Sequence, residues 1–120
     1  MAVRALRGAI QVEENSRDAI LGGTTELIKA VLHRNSITPD DLISVIFTAT
    51  PDLDAEFPAY AARLLGFTDV PLLCTTEIGV PGSMPRVLRL LAHIETDSPR
   101  SALHHVYLGG AAQLRRDLPQ

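Results

Sequence analysis

Cysteine occurs once in this chain, as Cys74, which excludes an internal disulfide and a thiolate metal cluster. Lysine also occurs once, as Lys29, so a Schiff-base mechanism has almost no candidate side chain. The rest of the 11 basic residues are arginines, rigid planar forks of donors suited to clamping carboxylates, although a genomic compositional bias would produce the same excess. Positive charge is not in surplus: 14 acidic residues set the formal charge at -3 and the pI near 5.7, leaving no global electrostatic reason to bind nucleic acid or an anionic membrane. No run approaches the roughly 18 apolar residues of a membrane helix, and Met1–Arg7 lacks the apolar stretch of a signal peptide, so the expectation is a soluble protein of the cytoplasm. There is no glycine-rich phosphate loop or dinucleotide fingerprint, and the histidines lack zinc spacing; no metal and no cofactor is expected. A length of 120 residues fits one domain, 1–120, with one core.

What is present reads as an α/β chain. Residues 3–12 are expected to form a strand with Val3, Ala5, Arg7 and Ala9 on one face and Arg4, Leu6, Gly8 and Ile10 on the other. The stripe Ile20, Leu27, Ile28 and Val31 predicts a helix over 16–34, with Asn15 and Asp18 as its capping pair and Gly22-Gly23 as a weak point relieved by close packing. Thr38-Pro39-Asp40-Asp41 has the chemistry of a short helical start, and Leu42–Thr50 reads as the central strand. Pro58–Leu65 predicts a second helix stopped by Gly66, and Asp69–Thr75 a third strand. Gly79, Pro81, Gly82 and Pro85 make a stiff loop before a fourth strand at 86–94, and His104–Leu108 forms the last.

Two arginines stand out because each interrupts an apolar strand face, where an unpaired guanidinium is costly: Arg7, and Arg89 beside Val87, Leu91 and His93. A bound carboxylate would satisfy either one, as would an internal ion pair or a solvent-facing edge. Arg63, Arg115 and Arg116 could extend a cationic pocket or lie on the surface. Cys74 and Glu77 sit three residues apart at a strand end, from which both could reach a pocket. A Cys–His nucleophilic pair with His93, His104 or His105 stays open, as does Tyr107 as packed aromatic or donor to an anion.

These residues together resemble the small monofunctional chorismate mutases of the bacterial non-helical class. The resemblance runs in order through Arg4–Glu13, Phe47–Leu53, Phe57-Pro58-Ala59, Val70-Pro71-Leu72, Pro81-Gly82-Ser83, Arg86–Arg89, His104–Leu108 and Leu114–Leu118. It implies a single domain with a mixed sheet and two main helices, assembled as a pseudo-barrel homotrimer with active sites at subunit interfaces. It implies cofactor-free conversion of chorismate to prephenate by an intramolecular Claisen rearrangement, which needs positioning and stabilisation of charge on the breaking ether oxygen. By motif, Arg89 would contact the ether oxygen, Arg7 and Tyr107 the enolpyruvyl carboxylate, and Glu77 and Cys74 the substrate hydroxyl. Phe57, Ala59, Leu72 and Leu73 would wall the pocket, with Arg63 and Arg115 as peripheral anion contacts. The chain departs from the family at Tyr60, where a lysine is familiar, at Gly109-Gly110-Ala111-Ala112, which replaces a bulkier segment, and at Arg116, which replaces a proline. A trimeric imine or enamine hydrolase and a non-catalytic carboxylate-binding regulatory module are the competing readings.

Overall fold

Alternating outward and inward side chains build the first strand, β1 (Ala2–Gln11), in the computed structural model, which describes residues 1–114. Leu6, Gly8 and Ile10 are buried, whereas Val3, Ala5 and Arg7 are exposed. Helix α1 (Arg17–Arg34) follows, and its cap differs from the expected Asn15–Asp18 pair: Ser16 has the extended backbone of a cap, and its Oγ accepts the Ala19 N–H at 3.1 Å. Asn15 turns away instead. Its Oδ1 accepts the N–H groups of Asp54 and Ala55, each at 3.1 Å, and its Nδ2 donates to Asp54 Oδ1 at 2.7 Å.

A 3-10 turn at Pro39–Asp41, started by Thr38, leads into β2 (Leu42–Ala49). Helix α2 (Ala59–Leu64) ends at Gly66, whose φ of +91° is the left-handed stop expected of glycine. Strand β3 (Leu72–Thr76) starts three residues later than expected because Pro71 has no N–H to give; it joins β2 only by accepting the Val45 N–H at 3.0 Å. Strand β4 (Val87–Thr96) runs two residues further than expected, since Glu95 and Thr96 pair with Val3 and Ala2 across 90 residues of sequence or more. A turn at Arg100–Ala102 precedes β5 (Val106–Leu108), and a 3-10 turn at Gly109–Gln113 closes the described chain.

The strands form one mixed sheet in the order β3-β2-β4-β1-β5. Strand β4 lies antiparallel to β1 and β2, while β5 and β3 run parallel to those two neighbours. The centre is therefore β4, not β2: Val45 and Phe47 are buried, but Ser44, Ile46 and Thr48 on the opposite face are only half-buried. Both helices cover one face, packing Ile20, Leu27 and Val31 together with Leu6, Phe47 and Leu88 in one core. The chain is thus a single domain with a mixed five-stranded sheet and two helices, as expected. Its other sheet face carries no α-helix among the described residues; at one end the 3-10 turn packs Ala111 against Ala9, Val87 and Tyr107.

The paired glycines of α1 separate into two roles. A Cβ on Gly23 would stand 2.5 Å from Val12 Cγ1, whereas one on Gly22 meets open space. Gly23→Ala is expected to destabilise the fold by about 1–3 kcal/mol through overpacking. Gly22→Ala is expected to stabilise it by up to about 1 kcal/mol through helix propensity. Urea unfolding of both variants checks this, and equal effects would refute the close-packing role.

Candidate active site

The sheet face opposite the two α-helices gathers the polar side chains that interrupt its strands. Cross-strand pairing places Tyr107, Ala9, Arg89, Thr48 and Thr75 in one row across all five strands. Arg7 stands one step along β1, opposite Leu91, and is therefore the diagonal neighbour of Arg89. Glu77 reaches the row because β3 continues its pairing past its last strand residue: the Glu77 N–H donates to Ala49 O at 2.9 Å.

Glu77 and Arg89 form an ion pair with Nε 3.0–3.1 Å from both carboxylate oxygens. Thr48 Oγ1 donates a second bond to Glu77 Oε2 at 2.5 Å. The carboxylate is thus engaged on both sides and mostly shielded, with 18% of its side chain exposed, while Arg89 retains 36%. Only Nε of Arg89 is engaged, so its two terminal nitrogens have no partner among the described residues. The internal ion pair left open by the sequence is therefore real, yet it leaves most of the guanidinium's donors available. Arg7 is exposed, and its backbone N–H donates to His105 Nδ1 at 3.0 Å. Tyr107 is buried with Ala9, Val87 and Ala111, so its ring is packed within the fold and its hydroxyl is not at the surface.

The remaining expected wall residues lie at the β3–α2 edge. Two adjoining clefts of about 360 and 340 Å³ share Glu56, Phe57 and Cys74; Ala59, Arg63, Leu72 and Leu73 line the smaller. Phe57 and Leu73 project apolar surface there, 71% and 60% exposed. Neither cleft includes Arg7, Arg89 or Tyr107. Within one chain the expected site residues thus fall into two groups, an arginine–glutamate face and an apolar edge. Arg115 and Arg116 lie outside the described residues.

Cys74 has no histidine around it in these clefts. Its sulfur accepts the Ala59 N–H at 3.3 Å, while His93 faces Ser44 Oγ at 3.3 Å and His105 is engaged with Arg7. Burial pushes the Cys74 thiol above its usual range, against the opposing pull of the Ala59 N–H and of Arg63. A thiol held protonated and unpaired with a base is a poor nucleophile.

Several site residues escape the sequence reading. Thr48 orients Glu77; its signal is the outward parity of Ser44, Ile46 and Thr48 on a strand read as buried on both faces. Arg17 lies 5.6 Å over the Tyr60 ring and donates Nε to Glu56 Oε2 at 3.1 Å, and Glu56 Oε1 accepts the Phe57 N–H at 2.9 Å. With Asn15 this ties the segment bearing Phe57 to the start of α1. It also brings a cation beside Tyr60, where the familiar lysine is missing. No local pattern marks that contact, because its partners are some 40 residues apart.

An oriented arginine–glutamate pair with no activated nucleophile defines a site that binds and polarises instead of attacking. Residues 3–118 match the family described as chorismate mutase type I. The chain is 50% identical over 117 residues to the chorismate mutase AroH of Thermus thermophilus, covering 97% of this chain and 96% of that protein. It is 38% identical to the chorismate mutase AroH of Bacillus subtilis over 119 residues, 98% and 94% of the two chains. The solved chorismate mutase from Clostridium thermocellum superposes with a TM-score of 0.90 at 45% identity, covering 92% of this chain and 98% of that one. The chain belongs to the type I chorismate mutases.

The raised thiol gives a direct check on the non-nucleophilic reading. Alkylation of Cys74 by iodoacetamide is expected to be slow at neutral pH and to rise only above the range of an ordinary thiol, about pH 8.5. A rate profile with its midpoint below that value would contradict the burial argument.

Proposed function

We propose that this protein rearranges chorismate to prephenate within active sites shared between subunits of a homotrimer in the cytoplasm. The observation that carries the reading is Arg89, held through Nε by Glu77 with its terminal nitrogens unengaged by the described residues, at the position that the family's motif assigns to the ether oxygen.

The reaction forms one carbon–carbon bond as one carbon–oxygen bond breaks, with no covalent intermediate. A guanidinium already oriented by Glu77 and Thr48 meets the negative charge that develops on the departing oxygen without having to reorganise first. Arg7 and Tyr107, in the same part of the sheet, are assigned the enolpyruvyl carboxylate, which holds the substrate in its compact reactive conformation. Glu77 and Cys74 are assigned the substrate hydroxyl. The apolar wall of Phe57, Ala59, Leu72 and Leu73, with Arg63 at its rim, comes in this reading from the adjoining subunit, because one chain keeps it apart from Arg89. Arg115 is assigned to the tail that completes the site. No helix of the described residues is long and apolar enough to cross a membrane, and a lone free thiol suits a reducing compartment. The hydrolase and the non-catalytic binding module draw no support from the family, the relatives or the fold.

Incubation with chorismate is expected to give saturable, mass-conserving conversion to prephenate; release of ammonia or absence of product would refute it. Replacing Arg89 by citrulline keeps the shape and removes the charge, and turnover is expected to fall by at least about 10²–10³-fold with the fold retained. Unchanged turnover would remove Arg89 from the mechanism.

Shared sites give a second outcome. Arg89→Ala and Phe57→Asp chains, each inactive alone, are expected to recover about a quarter of wild-type sites when unfolded together and reassembled as an equal mixture, because one contact in four then pairs two intact surfaces. No recovery from verified mixed trimers would place both groups in one subunit.

A further inference from the structure

Strand β5 pairs with β1 only at Gly8, Ala9 and Ile10, so the β1 edge before Gly8 has no strand beside it among the described residues. The segment Arg100–His105 runs past this edge and leaves a cleft of about 350 Å³, lined by Val3, Arg4, Ala5, His93, Arg100 and His105. Four of those six residues are basic and none is acidic. Two carboxylates lie nearby without lining the cleft: Asp97 is 3.8 Å from the amino terminus, and exposed Glu95 stands across from Val3 at the end of β4.

Neither Arg4 nor Arg100 forms an ion pair among the described residues. Arg4 Nε is buried without a hydrogen-bond partner there, and Arg4 Nη1 reaches only the Val3 carbonyl at 3.4 Å. A guanidinium nitrogen removed from water with no acceptor is costly, and an anion in the cleft would satisfy it. The backbone adds a donor. Arg7 turns its N–H to this edge, toward His105 Nδ1, and alternate residues of a strand point the same way, so the Ala5 N–H is directed into the cleft. The outer wall is firm, because Asn35 accepts the His104 N–H at 2.7 Å and donates to the His104 carbonyl at 2.9 Å.

We propose that this cleft is a second anion site, separate from Arg89, that takes a compact doubly charged oxyanion, either phosphate or a small dicarboxylate, on Arg4 and Arg100. His93 and His105 border the bound anion and report on it.

The test titrates the full chain with inorganic phosphate and, separately, with succinate, following the ring resonances of His93 and His105. A saturable shift with either anion is expected, and which of the two produces it identifies the source. Arg4→Gln and Arg100→Gln are each expected to weaken the interaction about tenfold, as loss of one charged hydrogen bond does. Arg100 is exposed, so its variant retains the fold even if Arg4→Gln does not. Arg89→Gln is expected to leave the affinity unchanged. Absence of a saturable shift with both anions, an unchanged affinity in Arg100→Gln, or loss of the shift in Arg89→Gln would each overturn the proposal.

Discussion

Strand β4 pairs antiparallel with β1 on one side and β2 on the other, and its register decides which side chains are buried and which are presented. Leu88, Leu90, Ala92 and Ile94 enter the core, while Arg89, Leu91 and His93 face the side without helices. A slip of one residue would exchange the two sets and put a guanidinium in the core. The entry to the strand is correspondingly braced. Arg86 has a φ of +55°, a left-handed conformation that costs a non-glycine residue about 1–2 kcal/mol. Its N–H donates to the Asp52 carboxylate at 3.0–3.2 Å, its Nε donates to the Val12 carbonyl at 2.9 Å, and the next residue, Val87, donates to Thr50 Oγ1 at 3.1 Å. Bonds from both neighbouring strands' ends therefore hold β4 in the one register that serves core and site together.

The Glu77–Arg89 pair follows from that register. With a third of Arg89 exposed, the pair adds little net stability, since water screens the attraction and ordering a long side chain costs entropy. Its value is orientation. Nε is the one nitrogen on the stem side of the guanidinium, so engaging it leaves the terminal pair of nitrogens as a fixed fork. A lysine could not be held and presented at once in this way. Thr48 performs the same service for Glu77 one strand away, so three strands contribute to the aim of a single cation.

Local patterns made most elements legible: alternation in β1 and β4, the Thr38-Pro39 start and the Gly66 stop each express physics within a few residues. What the sequence hid depends on distant partners. Asn15 looked like a cap because it precedes a helix, but the loop at 54–55 offers it three bonds and leaves Ser16 to cap. Leu42–Thr50 looked central because branched residues fill it, although the half-buried parity of Ser44, Ile46 and Thr48 marks a one-sided strand. For the site, Arg7, Arg89, Glu77 and Tyr107 were legible as a group through the resemblance and, for the arginines, through charge on apolar faces; their common place on one side of the sheet comes from the strand register. Tyr60 showed as a missing cation, and only the fold brings Arg17 across to its ring.

The separation of the arginine face from the apolar edge bears on what the proposed trimer would add to a single chain. A guanidinium open to bulk water acts on a developing charge through a dielectric near 80, where an interaction at 4 Å is worth only about 1 kcal/mol. Excluding water strengthens it several-fold, which requires a second surface over the arginines. The same chain carries such a surface in Phe57 and Leu73, apolar side chains left exposed beside a cleft at the β3 edge of the sheet. Two different patches that complement each other make a head-to-tail contact, and such contacts end without loose surfaces only when the rotation closes a ring. In the proposed trimer, covering the apolar edge and drying the arginine face are one event, so assembly supplies both stability and the electrostatic strength that catalysis needs.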